Sequence, residues 1–213
     1  MSGPIESTSK REQTKLRNRA LLLDAARAVF VELGYDAATV RDVVARTNLA
    51  PGTFYNYFTD KRSVLVALMN EVSSEAARRA REARAQGNSF EEAVERGFRA
   101  YFEFIASDPT MFELLRRNVS TLRSLGLDET GFGAQLEELR AELVTAMESG
   151  LMPRVPLRYV PLSIGAIAFE IGALLVASDP PDVEGATQFA AQFCVGGIER
   201  FSRVQAEAQK NKK

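Results

Sequence analysis

Nowhere does the chain sustain a period-two alternation of apolar and polar residues, so no sheet is expected to organise it. What recurs instead is the three-and-four spacing of an amphipathic helix. Between Lys15 and Leu33 the apolar positions are Leu16, Ala20, Leu23, Ala26, Phe30 and Leu33, a stripe along one helical face. Turn signals cut the remainder into helical lengths: Gly34, "GNS", "SDP", "LGLDETG", "SGLMPRVP" and "SDPPD". Helices are expected over 15–33, 40–48, 51–57, 61–86, 89–107, 109–124, 129–149, 157–178 and 183–207. The fold class is therefore all-α with about nine helices. A small N-terminal helical domain (15–60) follows a flexible basic arm (1–14). A connecting helix (61–86) leads to a larger helical domain (87–207), and 208–213 form a tail.

Several chemistries are disfavoured at this level. The 213 residues include no histidine, which removes the commonest metal ligand and general base. Paired acidic motifs, a glycine-rich phosphate loop and a nucleophile elbow are also missing, so catalytic residues, metal and cofactor are all expected to be none. The one cysteine, Cys194, lies between Phe193 and Val195 and reads as a small buried hydrophobe. The first ten residues, "MSGPIESTSK", lack the apolar run of a signal peptide. The most apolar stretch, 160–178, is interrupted by Glu170 and reads as a buried helix rather than a membrane span. A cytoplasmic, nucleoid-associated protein without a membrane partner is expected. Net charge is −1, but residues 1–62 hold 10 of the 27 Lys and Arg against 7 of the 28 Asp and Glu. That excess points the first third toward a polyanion.

The segment Leu49–Lys61, "LAPGTFYNYFTDK", carries the functional signal. On a helical wheel Phe54 and Phe58 share a face, with Pro51 beside them, and should plug into Val40, Val43 and Val44. Gly52, Thr53 and Asn56 then point away, flanked by Tyr55 and Tyr57. A narrow polar face with a glycine in it suits a major groove about 12 Å wide. Thr39 can cap the preceding helix, with Asp42 three residues on. Asn48 is suited to a left-handed turn between the two helices. Thr59 or Asp60 can cap the helix that begins near Lys61. Together these form a helix-turn-helix.

The stretch "ALLLDAARAVFVELGYDAATVRDVVARTNLAPGTFYNYFTDKRSVLVALM" (19 to about 70) resembles the N-terminal domain of TetR-type transcriptional repressors. The resemblance implies a homodimer on palindromic double-stranded operator DNA, released when a small ligand enters the C-terminal domain. It implies that Thr39 and Arg41 meet phosphates and that Gly52, Thr53, Tyr55 and Asn56 face the groove. Tyr57 and Lys61 would clamp the backbone, with Arg19 and the basic arm (Lys10, Arg11, Lys15, Arg17) reaching adjacent phosphates. One departure stands out. Ala50 occupies a position where such domains usually carry Ser or Thr, so a side-chain cap worth about 1 kcal/mol is missing.

In the larger domain, Gly165, Ala168, Gly172 and Leu175 follow a three-four spacing that permits close helix approach. With Phe189, Phe193, Gly197 and Phe201 they are the expected dimer interface; ordinary intrachain packing is the alternative. Phe98, Tyr101, Phe102, Ile105, Phe112, Leu115, Val119, Leu122 and Phe169 are candidate lining for a hydrophobic effector, or plain core. Arg116 either meets an anionic group of that effector or faces water. Glu170 is paired with Arg116 or Arg117, lies on the pocket wall, or faces a groove. Similar regulators suggest a fatty acid or acyl-CoA as effector. A regulator without a ligand, or a helical scaffold without DNA affinity, are the other readings.

Overall fold

The computed structural model describes residues 10–118 and 132–210. Among these residues there are eight α-helices, one 3₁₀ helix and no strand. The elements are α1 (Lys10–Leu33), α2 (Val40–Ala45), η1 (Pro51–Asn56), α3 (Lys61–Arg84), α4 (Phe90–Ser107), α5 (Pro109–Arg117), α6 (Phe132–Glu148), α7 (Val160–Val176) and α8 (Val183–Lys210). The expected order of helices is therefore present. The expected arm is corrected for residues 10–14, which form the first turns of α1 and include no helix breaker. Ala208–Lys210 likewise continue α8 rather than forming a tail. α5 stops at Arg117, where the Asn118 amide donates to Leu115 O at 3.1 Å and its side chain to Leu114 O at 2.8 Å. Residues 119–124 of the expected helix, with Val119 and Leu122, lie outside the described residues.

Two compact units divide within α3, one ending at Met69 and the other beginning at Asn70. In the first unit, Leu22, Leu23, Ala26, Val29 and Phe30 of α1 are buried with Val43 and Val44 of α2. Phe54, Phe58, Val64, Leu65 and Leu68 complete this core, each large side chain contributing about 1.5–3 kcal/mol by burial. Leu16, Ala20 and Leu33 are exposed, so only the middle of the predicted α1 stripe is used. Gly34 ends α1 at φ +78°, a conformation that favours glycine. No non-glycine residue has positive φ among the described residues, so Asn48 does not make the predicted left-handed turn. Thr47 bridges that corner instead, its hydroxyl donating to Val44 O and accepting from Leu49 N–H.

In the second unit α4, α7 and α8 pack on one another. Phe98 and Phe102 stack at 5.8 Å and are buried with Ala168, Leu175, Ala190, Ala191 and Cys194. A second cluster joins Leu143, Met152 and Ile198. The C-terminal part of α3 is tied to α6 by Arg81–Glu138 at 2.6 Å and Arg84–Glu142 at 2.8 Å. Gln135 also donates to the Ser73 and Ser74 hydroxyls at 3.1 Å. No helix of the described residues is long and apolar enough to cross a membrane.

Candidate functional site

The ring-rich segment divides inside from outside, but over a tighter helix than expected. Ala50 is extended and supplies no side-chain cap, and Pro51 opens η1. The backbone closes with Thr53 N–H to Ala50 O at 2.8 Å and Tyr57 N–H to Phe54 O at 2.9 Å. These three-residue rings define a 3₁₀ helix, a form used in short pieces. Phe54 is 0% exposed and Phe58 is also buried, their centroids 5.8 Å apart. Tyr55 stands edge-on to Phe54 and is 64% exposed. Gly52 and Asn56 are exposed, and Thr53 and Tyr57 half-buried. Pro51 is exposed too, not beside the buried rings as predicted. A Cβ added at Gly52 would meet nothing within 4 Å, so the chain's own packing does not require glycine there.

Two expected phosphate donors have their polar groups turned onto their own chain. The Thr39 hydroxyl donates to Asp42 Oδ2 at 2.6 Å and accepts from Asp42 N–H at 3.2 Å. The Thr39 amide completes this capping box by donating to the same carboxylate at 2.9 Å. These bonds, the Thr39 side chain first, hold the Asp42 carboxyl below its usual range. Lys61 is a clearer correction. Its ammonium donates to Tyr35 O at 2.6 Å, Ala38 O at 2.8 Å and Asp36 O at 3.1 Å, and lies 4.5 Å from the Tyr35 ring centroid. An ammonium has three protons, so the clamp acts on the α1–α2 turn rather than on a phosphate. Arg41 is exposed, whereas Arg19 is half-buried with its guanidinium 5.6 Å from the Phe58 centroid. Lys10, Arg11, Lys15 and Arg17 lie along the exposed start of α1.

In the second unit the candidate lining residues Phe98, Phe102, Ile105, Phe112 and Leu115 are buried. Tyr101 and Phe169 are half-buried. Three of them meet at Gly172, whose added Cβ would lie 3.3 Å from Phe112 Cζ, 3.6 Å from Tyr101 Cε1 and 3.8 Å from Ile105 Cγ2. Burial pushes the Tyr101 phenol up and the Cys194 thiol up to about 11, which leaves that thiol protonated and unreactive. The polar candidates lie elsewhere. Arg116 and Arg117 are exposed and both bind Glu113. Those guanidinium bonds, Arg116 first, hold the Glu113 carboxyl at about 2. Glu170 is exposed and makes no ion pair with either arginine, which corrects both the pairing and the pocket-wall reading.

The expected dimer residues fall on two sides. Ala168, Gly172 and Leu175 are buried in their own unit, so the small-residue row serves intrachain packing. Gly165 is half-buried. Phe189 is 62% and Phe193 61% exposed, Phe201 is exposed, and a Cβ at Gly197 would meet open space. The exposed side of α7 carries Leu162, Ala166, Glu170 and Leu174 instead.

Residues 22–68 match the bacterial regulatory proteins of the tetR family. That match covers the helix-turn-helix segment and the residues just around it. It is 28% identical to the HTH-type transcriptional regulator YhgD of Bacillus subtilis over 100 residues, covering 47% of this chain and 52% of YhgD. It thus spans about half the length of that regulator. Among solved structures, the fatty acid degradation regulator FadR of Bacillus halodurans superposes with TM-score 0.69 at 24% identity, covering 84% of this chain and 95% of that one. FadR of Bacillus subtilis in complex with stearoyl-CoA superposes with TM-score 0.63 at 21% identity, covering 84% and 98%. These likenesses establish the fold.

Within the matched segment, one corner settles a choice that the sequence left open and another is fixed by a contact that sequence reading missed. Ser63 N–H donates to Asp60 Oδ1 at 2.7 Å, and Asp60 N–H returns a bond to Ser63 Oγ at 3.2 Å. Asp60, not Thr59, therefore caps α3. The signal was present as an Asp-x-x-Ser spacing, a short relative of the capping box. Arg46, paired with Glu32, ties the end of α2 to α1 through a contact with no local sequence signature.

Proposed function

We propose that this chain is a sequence-specific DNA-binding repressor, a homodimer on a palindromic operator, released by a hydrophobic fatty acyl effector. The observation that carries the DNA reading is the split of η1. Phe54 anchors the stub while Tyr55 projects beside a glycine that internal packing does not need. A smooth helical edge with an adjacent ring suits close approach to base edges and thymine methyls. The groove set is Gly52, Thr53, Tyr55, Asn56 and Tyr57, with Arg41 and the start of α1 supplying charge for phosphates. Two copies are needed because one short helix reads few base pairs. The exposed apolar rows of α7 and α8 supply a face for that pairing. The effector class is supported by the aromatic cluster around Gly172 and by the stearoyl-CoA bound in the Bacillus subtilis FadR structure. Release then follows if the effector favours a state whose paired recognition helices no longer match successive major grooves. Such a protein works in the cytoplasm, on the nucleoid.

Selection from random duplexes followed by fluorescence anisotropy tests this. A palindromic site should emerge, and Tyr55→Ala should weaken it by about 1–3 kcal/mol, the scale of one specific contact, with unfolding stability unchanged. Stearoyl-CoA should release the bound site. Failure to enrich any palindrome, or equal affinity of Tyr55→Ala, refutes the DNA reading. Retention of DNA in the presence of acyl-CoA and free fatty acids refutes the effector class.

A further inference from the structure

We propose that the Tyr101 hydroxyl donates a hydrogen bond to an uncharged carbonyl oxygen of the effector, so that the site takes fatty acyl esters and thioesters in preference to free carboxylates. This rests on the fatty acyl reading above, and adds to it which group of the effector is held and in what charge state. A Cβ added at Gly172 would lie 3.6 Å from Tyr101 Cε1. That carbon adjoins the one bearing the hydroxyl, so the phenol end of the ring lies against α7 where no side chain intervenes. Phe112 Cζ and Ile105 Cγ2 stand around the same point, and Phe102 meets the Tyr101 ring edge-on at 5.6 Å. All of these neighbours are apolar. The hydroxyl makes no hydrogen bond among the described residues, and burial is the one cause that pushes the phenol up. It is therefore a protonated donor at neutral pH. Phe102 beside it is fully buried, yet Tyr101 keeps part of its surface open. A side chain deep enough to lose its solvation, with surface left uncovered, borders an opening in the unit. A donor without a partner there carries a desolvation cost, which an acceptor on a bound molecule removes.

The charges around this point select a neutral acceptor. A carboxylate could also accept from a phenol, but an ionised group taken out of water needs a cation beside it. The side chains that meet at Gly172 come from α4, α5 and α7. α7 contains no lysine or arginine. On α4, Arg96 is bound to Glu92, and Arg99 to Glu95 and Glu184. On α5, Arg116 and Arg117 are exposed and bound to Glu113. From α3, Arg79 lies over Phe104 and is bound to Glu75. Among the described residues Thr187 is the one buried polar side chain, and it too is uncharged. The interior thus offers hydroxyl groups and no cation, a set that suits the carbonyl of an ester or thioester.

Titration calorimetry on the full chain tests the assignment with two ligand pairs. Stearoyl-CoA and its thioether analogue S-octadecyl-CoA differ only in the carbonyl. The thioester should bind about fivefold more tightly, the scale of one neutral hydrogen bond. Tyr101→Phe keeps the ring and removes the hydroxyl. It should weaken the thioester by about that factor and leave the thioether unchanged, so that the preference disappears, as coupled partners require. Equal weakening of both ligands would mean that the phenol acts through packing, and overturns the proposal; so does a preference that survives in the variant. Dodecanamide and dodecanoate differ in charge at one end. At pH 8 the amide should bind at least about tenfold more tightly, and parity or the reverse order overturns the neutral-acceptor assignment. If Tyr101→Phe disturbs folding, the parent protein still decides, because no preference for thioester over thioether overturns the hydrogen bond. Binding of all four ligands without these differences removes the hydrogen bond and leaves the fatty acyl reading standing. Binding of none removes the fatty acyl reading itself, and this proposal with it.

Discussion

Replacing Lys61 by Met keeps the stem and removes the ammonium, and the structure sets the size of the effect. Three carbonyls, Tyr35, Asp36 and Ala38, lose their donor, and two of those bonds are partly buried. A hydrogen bond to a charged group contributes about 1.5–3 kcal/mol when enclosed. Water can reach this half-buried side chain, so the two enclosed bonds together are placed near the lower figure. The cation over the Tyr35 ring adds about 0.5–1 kcal/mol. Lys61→Met should therefore destabilise the N-terminal unit by about 2–2.5 kcal/mol in urea unfolding. The salt dependence of DNA binding discriminates further. A lysine that neutralises a phosphate adds about 0.9 to the slope of log K against log salt, hence about 1.8 per dimer. A lysine bound to its own backbone adds nothing of that kind. The expected outcome is a less stable protein whose remaining binding keeps the parental slope. Unchanged stability with a slope lower by about two would refute this reasoning and restore Lys61 as a phosphate clamp.

Ala50→Ser supplies the cap that η1 lacks and should stabilise the chain by about 0.5–1 kcal/mol in the same unfolding assay. Asp42 titrates below its ordinary value of 3.8 because of the Thr39 bonds. Its contribution is therefore present above that pH and is lost as pH falls through the lowered value. Asp42→Asn should flatten this part of the acid unfolding curve, and an identical curve would count against the capping box. Thr187 is fully buried on α8, and its hydroxyl has no hydrogen-bond partner among the described residues. Thr187→Val, near in shape, should raise stability by about 1–2 kcal/mol, since an unmatched buried hydroxyl carries a desolvation cost of that order; a loss on thermal melting would show that the hydroxyl is satisfied.

Legibility in the sequence followed the range of the interactions. Helix count and order could be read because three-four periodicity and Gly/Pro punctuation are local. The inside and outside of η1 could be read for a similar reason, since Phe54 and Phe58 are four residues apart. Its 3₁₀ form could not, because a six-residue stub carries too little pattern to fix its pitch. Lys61 was misjudged because its partners lie 23 to 26 residues away. A lysine at a helix start looks the same in sequence whether it faces solvent or a neighbouring turn. The small-residue row of α7 failed likewise. Gly172 signals close approach, but not whether Phe112 of the same chain or a second molecule does the approaching.

If the proposed DNA-binding function holds, these corrections move its electrostatic work within the first unit. With the Thr39 hydroxyl and the Lys61 ammonium held by their own chain, and Arg19 over Phe58, the exposed cations suited to phosphates are Arg41 and those at the start of α1. That start is helical from Lys10 and continuous with Leu22, Leu23 and Ala26 in the core. Lys10, Arg11, Lys15 and Arg17 are therefore carried on a helical segment, and little backbone entropy would remain to be lost on meeting a duplex under the proposed function. The inward-facing Lys61 and Thr39 hold the turn between α1 and α2, and so fix the start of α1, the Arg41 side of α2 and the η1 stub within one unit. Under the proposed function, their part would be to hold still what the exposed residues present.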